Sequence, residues 1–535
     1  MPPINPADPP KFELQGSPCN LQSALAYPTL PRLQTIPVAR SLGLSFPLQA
    51  SVSGSFNANH DPVALRPHLS PEPHSMQPSR RGFLKTSALA GAVAGSTMTA
   101  TSKLIAAEET KKLRLAAIGV GGSRGRYNRG GSIARGAAKF ATMVAVCDVD
   151  DLHTEEFNQD FDGKLNKYRD YREMLEKEKP DVVTIGTPDH WHVPIAIACL
   201  RSGADVYCEK PLTLTIDEGK QIRKVVEETG RVFQVGTQQR SSGDLFQKAI
   251  AMVQSGYVGD NVNAYIAIGG APGDGPFETT QAPEDLDWNL WVGPAAKADY
   301  CEERRKYFRW FFEYSGGKMT DWGAHHIDIA QWALAPGEDG PTTINGTGEF
   351  PKTVPADFNW NSFFDGEASL PNGYNTATSF NIELTFESGS KMVVTNHYQR
   401  EEENIDFPNG ILFEGDKGRI FVNRGKLTGA PVDSLTEEDN AKLDAKIAEL
   451  RKGKKAMSHM ANFFACIEDG GQPISDVWSH HRTMTSCHLC NLALMLGREL
   501  KWDPKAERFI DDEQANGLMS RKSRAGFSAE THAAS

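Results

Sequence analysis

From Lys112 onward the chain alternates short apolar, β-branched runs with stretches of helical period. The first run empties into the glycine-rich segment Ile118-Gly119-Val120-Gly121-Gly122-Ser123-Arg124-Gly125. Few folds accept that order. The runs at 113–118, 143–147, 182–185, 205–208 and 232–235 are strand-length, and helical segments separate them. They predict a doubly wound, parallel α/β sheet over residues 112–239. After about Gln239 the pattern changes. Runs at 263–268, 380–386, 391–397, 411–414 and 419–422 predict an open, mostly antiparallel sheet, accompanied by helices at 244–255, 321–334 and 456–497. This second, α+β domain is expected over 240–505, with a loose polar tail at 506–535.

The part ahead of Lys112 has a different character. Residues 1–75 hold fourteen of the 32 prolines and no sustained period, which predicts disorder. Met76 then leads into Ser79-Arg80-Arg81-Gly82-Phe83-Leu84-Lys85, a mildly apolar stretch from Ser87 to Met98, and Ile105-Ala106-Ala107. That series resembles a twin-arginine export signal over 76–107, with a small-residue cleavage site and no stable membrane span. Because such a signal belongs at an N-terminus, Met76 is read as the true start and residues 1–75 as a mis-called start or a disordered leader. The expected compartment is the periplasm or another extracytoplasmic space. Residues 1–107 carry eight Lys/Arg against four Asp/Glu, which leaves −15 on the remainder of a chain of formal charge −11. Nucleic acid is therefore not an expected partner. The eight cysteines are scattered over 535 residues and predict buried thiols rather than a disulfide framework.

Gly119, Gly121 and Gly122 let the backbone turn tightly and approach a pyrophosphate, which the next helix then meets with its N-terminal amides. The second strand ends in Cys147-Asp148. A carboxylate there accepts hydrogen bonds from ribose hydroxyls and repels a 2′-phosphate, so NAD is favoured over NADP. The Gly- and Arg-rich segment 127–136 reads as an unusually long insertion, and Arg124, Arg126 or Arg129 could instead meet a 2′-phosphate. Thr187, Pro188 and His192 end the next strand and are expected to line the nicotinamide pocket. His190 and His192 lack a suitably spaced Cys or carboxylate, so no metal site is expected.

Glu209-Lys210-Pro211 closes a further strand and places Glu209 and Lys210 at the floor of the same cleft. Later comes Ser315-Gly316-Gly317-Lys318-Met319-Thr320-Asp321-Trp322-Gly323-Ala324-His325-His326-Ile327-Asp328, with Thr320 or a neighbour as a helix cap. At helical spacing Asp321, His325 and Asp328 share a face, and His326 points about 100° away. A histidine flanked by carboxylates has a raised pKa and suits general acid–base work. The bland alternative is a surface salt-bridge cluster. Cys487-His488-Leu489-Cys490 lies within a strongly apolar helical stretch and reads as packing rather than a redox pair.

Together these motifs resemble the Gfo/Idh/MocA family, named for glucose–fructose oxidoreductase and inositol dehydrogenase, over about Lys112 to Pro504. The resemblance implies that Lys210 is catalytic with Asp321 and His325, that Gly119, Gly121 and Gly122 hold NAD or NADP, and that the protein is a homo-oligomer, dimer or tetramer. Trp-Gly-Ala stands between Asp321 and His325 where the family has small residues, and a second histidine follows. His326, Asp328 and the aromatic Trp310 are candidates for contacting a sugar or polyol substrate. The leading expectation is hydride transfer from a CH–OH group. His325 takes the proton, Lys210 steadies the oxyanion and Asp321 orients His325, although Lys210 and His325 could exchange roles. Two rivals stand beside it. One is an NAD-dependent glycosidase or epimerase-like enzyme that returns the hydride, as some exported relatives do. The other is a non-catalytic sugar- and nucleotide-binding regulator. An exported nicotinamide enzyme is further expected to hold its cofactor tightly.

Overall fold

A computed structural model describes residues 112–122, 128–241, 243–337 and 340–527. The leader, the twin-arginine segment, Arg124 and Arg126 lie outside the described residues.

The first half runs β1 (Arg114–Ile118), α1 (Arg129–Ala137), β2 (Thr142–Cys147), α2 (Asp151–Gln159), β3 (Asn166–Tyr168), α3 (Tyr171–Glu178), β4 (Val182–Ile185), α4 (His192–Arg201), β5 (Asp205–Cys208), α5 (Ile216–Thr229) and β6 (Phe233–Val235). The six strands are parallel in the order β3-β2-β1-β4-β5-β6. The order reverses between β1 and β4, where a crevice opens beyond the carboxyl ends of the strands. Strands β4 and β5 are buried at every position, which is why they read as continuous apolar runs. Strand β3, Asn-Lys-Tyr, is a polar edge with no such run and was not expected. The segment read as an insertion is α1 itself. Its glycines let the helix sit on the sheet, since a Cβ on Gly130 would come within 1.8 Å of the Gly119 carbonyl.

The second half is built on a nine-stranded sheet. Across the sheet the strands are Leu427–Thr428, Gly418–Val422, Gly410–Gly415, Asn263–Ala267, Lys391–Thr395, Ser379–Phe386, Pro341–Glu349, Leu500–Asp503 and Arg508–Phe509. Every neighbouring pair is antiparallel except Asn263–Ala267 with Lys391–Thr395. Helices Gly243–Gln254, Gly323–Leu334 and Val477–Leu496 supply the apolar residues that form one large core with it. The expected helix at 321–334 breaks at Trp322 into Gly317–Asp321 and Gly323–Leu334. The expected helix at 456–497 is two, His459–Asp469 and Val477–Leu496, parted by Gly470, Gly471 and Pro473. No helix among the described residues is long and apolar enough to cross a membrane.

The tail is not loose over its described part. Arg508–Phe509 extends the sheet and Glu513–Gly517 is helical. Arg524 donates to the carbonyls of Gly293 and Asn289, and Phe527 meets Trp191 edge-on at 5.9 Å. A few anchoring side chains dock a segment whose overall composition is polar.

Two substrate expectations are corrected here. Asp328 has no exposure. Its oxygens accept from Arg240 Nε and Nη2 at 2.7 and 2.6 Å and from Thr483 Oγ1 at 2.7 Å. His326 is equally buried, meets Asn409 Oδ1 at 3.0 Å and packs on Phe246 and Trp322. Their helix is enclosed on all sides, so both side chains are claimed by core partners remote in sequence. Replacing Asp328 by Ala strands a buried guanidinium and should lower unfolding stability by about 3–5 kcal/mol. Chemical denaturation measures this, and an unchanged midpoint would mean the pair is dispensable.

Candidate functional site

A cavity of about 1090 Å³ lies beyond the carboxyl ends of the parallel strands and reaches into the second half. Gly119, Gly121, Gly122, Asp148, Thr187, Pro188, His192, Glu209, Lys210, Trp310, Asp321 and His325 all border it. Asp328 and His326 do not, and Arg124 lies outside the described residues.

At one end the glycine turn forms a cradle. Gly119 has φ +73°, its amide donates to the Cys147 carbonyl at 2.8 Å, and a Cβ there would come within 2.6 Å of the Thr187 nitrogen. Only glycine fits that conformation and that space. Asn128 caps α1 by accepting from the Gly131 amide at 2.9 Å, and Arg129 and Gly130 at the helix start border the cavity. A close backbone next to a helix start suits a pyrophosphate, so the residues present fit a dinucleotide.

Asp148 is more occupied than its position after β2 suggested. Its Oδ2 accepts from the amides of Val120 and Gly121 at 3.0 and 3.2 Å, and its Oδ1 from that of Asp150 at 3.1 Å. His153 Nδ1 stands 3.4 Å away. Burial opposes the charge, but His153 and the amides of Asp150 and Gly121 hold the carboxyl below its ordinary range. Asp148 thus shapes the turn as well as bordering the nucleotide end. Arg129 does not stand at that end. Its Nε and Nη2 both lie 2.9 Å from Glu209 Oε1, at the end of β5, with β1 and β4 intervening. Glu209 also accepts from Gln238 Nε2 at 3.1 Å.

His192 bridges two turns, with Nδ1 2.6 Å from the Pro211 carbonyl and Nε2 2.9 Å from that of Thr187. His190 turns away to the Trp291 carbonyl at 2.8 Å, and burial pushes its pKa down to about 3. Among the described residues no group of three or more His, Cys, Asp or Glu is placed to hold a metal ion. Cys487 and Cys490 are fully buried free thiols, as are the other described cysteines.

At the opposite end Lys210 Nζ donates to Asp321 Oδ1 at 2.7 Å and to the Asp321 carbonyl at 3.0 Å, across 111 residues of chain. Burial opposes ionisation of Asp321, but Lys210 and Arg309, with Lys318 behind them, hold it far below the usual carboxylate range. His325 is 6% exposed and its Nδ1 has no hydrogen-bond partner. The expected raised pKa is overturned. Burial, then the charges of Lys210 and Arg424, push His325 well below its ordinary value, and Asp321 only partly opposes them. Asp321 is engaged with Lys210, so it does not orient His325. Neither helix start here carries a side-chain cap, and Thr320 Oγ1 instead accepts from the Gly316 amide at 3.0 Å.

The family comparison agrees with this layout. The model described as oxidoreductase family, NAD-binding Rossmann fold, matches residues 113–237. The one described as oxidoreductase family, C-terminal alpha/beta domain, matches 271–362 and 365–529. The chain belongs to the Gfo/Idh/MocA oxidoreductase family.

Among curated members it resembles the uncharacterized oxidoreductase YfiI of Bacillus subtilis, at 30% identity over 159 residues, 28% of this chain and 40% of that protein. It also resembles an alpha-N-acetylgalactosaminidase of Shewanella oneidensis, at 44% identity over 59 residues, 11% of this chain and 13% of that one. The chain thus spans two-fifths or less of the length of the curated relatives it matches. A solved family-like fold is the WlbA dehydrogenase from Bordetella pertussis in complex with NADH and UDP-GlcNAcA, at TM-score 0.50 and 15% identity, covering 73% of this chain and 99% of that one. That likeness speaks for the fold alone.

Arg309, Lys318 and Arg424 also border the cavity and were not singled out from sequence, and Trp322, noted as a departure from the family's small residues, borders it too. Lys318 was visible inside the Gly-Gly-Lys-Met-Thr-Asp motif. Arg424 sits on a turn that carries no signal. Of the aromatic residues at 310–314, Trp310 borders the cavity, while Phe311, Phe312 and Tyr314 are core.

Asp148→Ala removes the acceptor of the loop amides and the charge at the nucleotide end. It should weaken NAD binding by about tenfold or more, an effect of about 1.4 kcal/mol, and narrow discrimination against NADP. Calorimetric titration with both cofactors checks it, and a wild type that already prefers NADP would remove Asp148 as the discriminating group.

Proposed function

We propose that the protein transfers hydride between a hydroxyl-bearing carbon of a sugar, polyol or glycoside and NAD(H). The observation that carries this reading is a single cavity joining a glycine cradle to the Lys210–Asp321 pair and a neutral His325 whose Nδ1 has no hydrogen-bond partner. The nicotinamide, when bound, supplies the hydride acceptor. The glycine turn and the start of α1 hold its pyrophosphate. His325, uncharged at neutral pH, has an unprotonated ring nitrogen to take the hydroxyl proton. The Lys210 ammonium, held by Asp321, donates toward the oxygen on which negative charge grows.

Lys210→Ala and His325→Ala should each cut kcat by about two orders of magnitude or more with NAD still bound, and together by less than the product of the two. Fully multiplicative losses would show that the residues do not act as a unit. A depressed histidine loses its role as base only when pH falls through its folded-state value. The acid limb of kcat should therefore lie well below pH 6.5. An acid limb at or above 6.5 would mean that His325 is stabilised in its charged form.

A second reading, a redox-neutral glycosidase that returns the hydride, is favoured by the resemblance to the Shewanella alpha-N-acetylgalactosaminidase. Net NADH release separates the two. The Arg80-Arg81 motif supports export from the cytoplasm in a folded state with cofactor loaded. Protein from the exported fraction should then release stoichiometric NAD(H) or NADP(H) on denaturation after dialysis. Mass spectrometry of the denatured supernatant reads this, and an empty protein would refute tight retention.

A further inference from the structure

We propose that the substrate is an anionic sugar or glycoside, bearing a carboxylate or a sulfate or phosphate ester, and that the Lys318 ammonium receives its charge. This rests on the cavity being the hydride-transfer site.

The catalytic end holds far more positive than negative charge. Lys210, Arg309, Lys318 and Arg424 border the same cavity as Asp321. Asp321 is already committed, with Lys210 at 2.7 Å and Arg309 Nε at 3.6 Å from one oxygen. Of the other acids bordering the cavity, which include Asp274 and Glu303, at least three are engaged. Glu209 holds Arg129, Asp148 holds the loop amides, and Asp189 accepts from Ser315 Oγ. Burial also raises the Asp189 pKa, against the pull of His192 and Arg309.

Lys318 is left over. No carboxylate among the described residues forms an ion pair with it, and its ammonium lies 5.7 Å from the centre of the Trp310 ring. Gly269, at φ +78°, leaves room beside it, since a Cβ there would stand 3.5 Å from the amine. Burial lowers the Lys318 pKa against the pull of Asp321, and the charges of Lys210 and Arg309 lower it further. A partly buried cation with no carboxylate in ion-pair contact is costly, and a ligand anion relieves it.

Arg424 differs in position. It stacks on Trp322 at 4.6 Å, and its charged neighbours are Asp321 and then Arg129, which Glu209 already holds. The charged neighbours of Lys318 are Asp321, Lys210 and Arg309, with none from the glycine turn. Its charge is therefore available to the substrate. Trp310 and Trp322 offer ring faces for the sugar C–H surface.

The test is calorimetric titration of the purified, NAD-loaded protein with matched sugars. The pairs are glucose with glucuronate, galactose with galacturonate, and N-acetylglucosamine with its 6-sulfate and 6-phosphate. At least one acid should bind tenfold or more tightly than its neutral partner, with the advantage shrinking as salt rises. The carboxylate and ester arms identify which anion is read. Lys318→Met should bring that ratio to about one, and Lys318→Arg should keep most of it, with thermal melts confirming that both variants fold. Equal affinity within every pair, undetectable binding of every acid, or a ratio unaffected by Lys318→Met overturns the proposal. Hydride transfer is followed separately. An acid that binds through Lys318 without transferring hydride defeats the reaction reading and leaves the charge assignment standing, whereas turnover of neutral sugars alone does the reverse.

Discussion

Lys210 leaves the turn after β5 of the nucleotide sheet and ends on Asp321 in the other half of the molecule, at 2.7 Å. Side-chain exposures of 12% and 20% make either charge alone expensive to enclose. The pair is affordable because the turn that delivers Lys210 is itself fixed from both sides. His192 at the start of α4 meets the Pro211 carbonyl, the Leu212 amide donates to His480 Nε2 at 3.3 Å, and Thr213 Oγ1 lies 3.0 Å from His488 Nε2. Two of those three contacts come from the helix Val477–Leu496. The register between the halves, and with it the distance from cradle to His325, follows from how that helix seats on α5 and the turn after β5.

This explains a helix whose sequence looks ill-suited to burial. Val477–Leu496 carries His480, His481, Thr483, Ser486, His488 and Asn491 among its buried residues. Each has a named partner: Leu212, Glu507, Asp328, Gln331, Thr213 and Gly316 respectively. Burial pushes His480 and His488 down to about 3, so both are uncharged at neutral pH and serve as hydrogen-bonding spacers. Apolar residues could fill that volume, but they would not fix one rotation and one depth of the helix.

What the sequence made legible follows the same physics. The strands β4 and β5, buried on both faces, were readable to the residue, because burial writes an uninterrupted apolar run. Pro341–Glu349 was not, since Gly346 and Gly348 and its threonines give no alternation, and its pairing with Ser379–Phe386 is what holds it. In the site, residues at the ends of strands were readable because chain direction alone sends Thr187, Glu209 and Lys210 to one rim. The helical-face argument for Asp321, His325 and Asp328 failed for a definite reason. It assumed that neighbours on one helix would satisfy each other, whereas a helix break at Trp322 and enclosure gave Asp321 to Lys210 and Asp328 to Arg240. Spacing predicts contacts on a solvated helix. Inside a core, partners from 88 to 155 residues away win.

The electrostatics of the floor then limit how the chemistry is driven. A neutral imidazole enclosed beside Lys210 and Arg424 is a weak base, and its protonated form is disfavoured by both burial and like charge. Proton removal from an alcohol cannot draw its driving force from the basicity of His325. The same cations that weaken it favour the negative oxygen that forms as the hydroxyl proton leaves. Moving the carboxylate of Asp321 from His325 to Lys210 therefore shifts the work from a strong base to a stabilised oxyanion. It also fixes the order of charges in the cavity: cations nearest the reacting oxygen, the imidazole uncharged, and Lys318 beyond them with no carboxylate in ion-pair contact among the described residues.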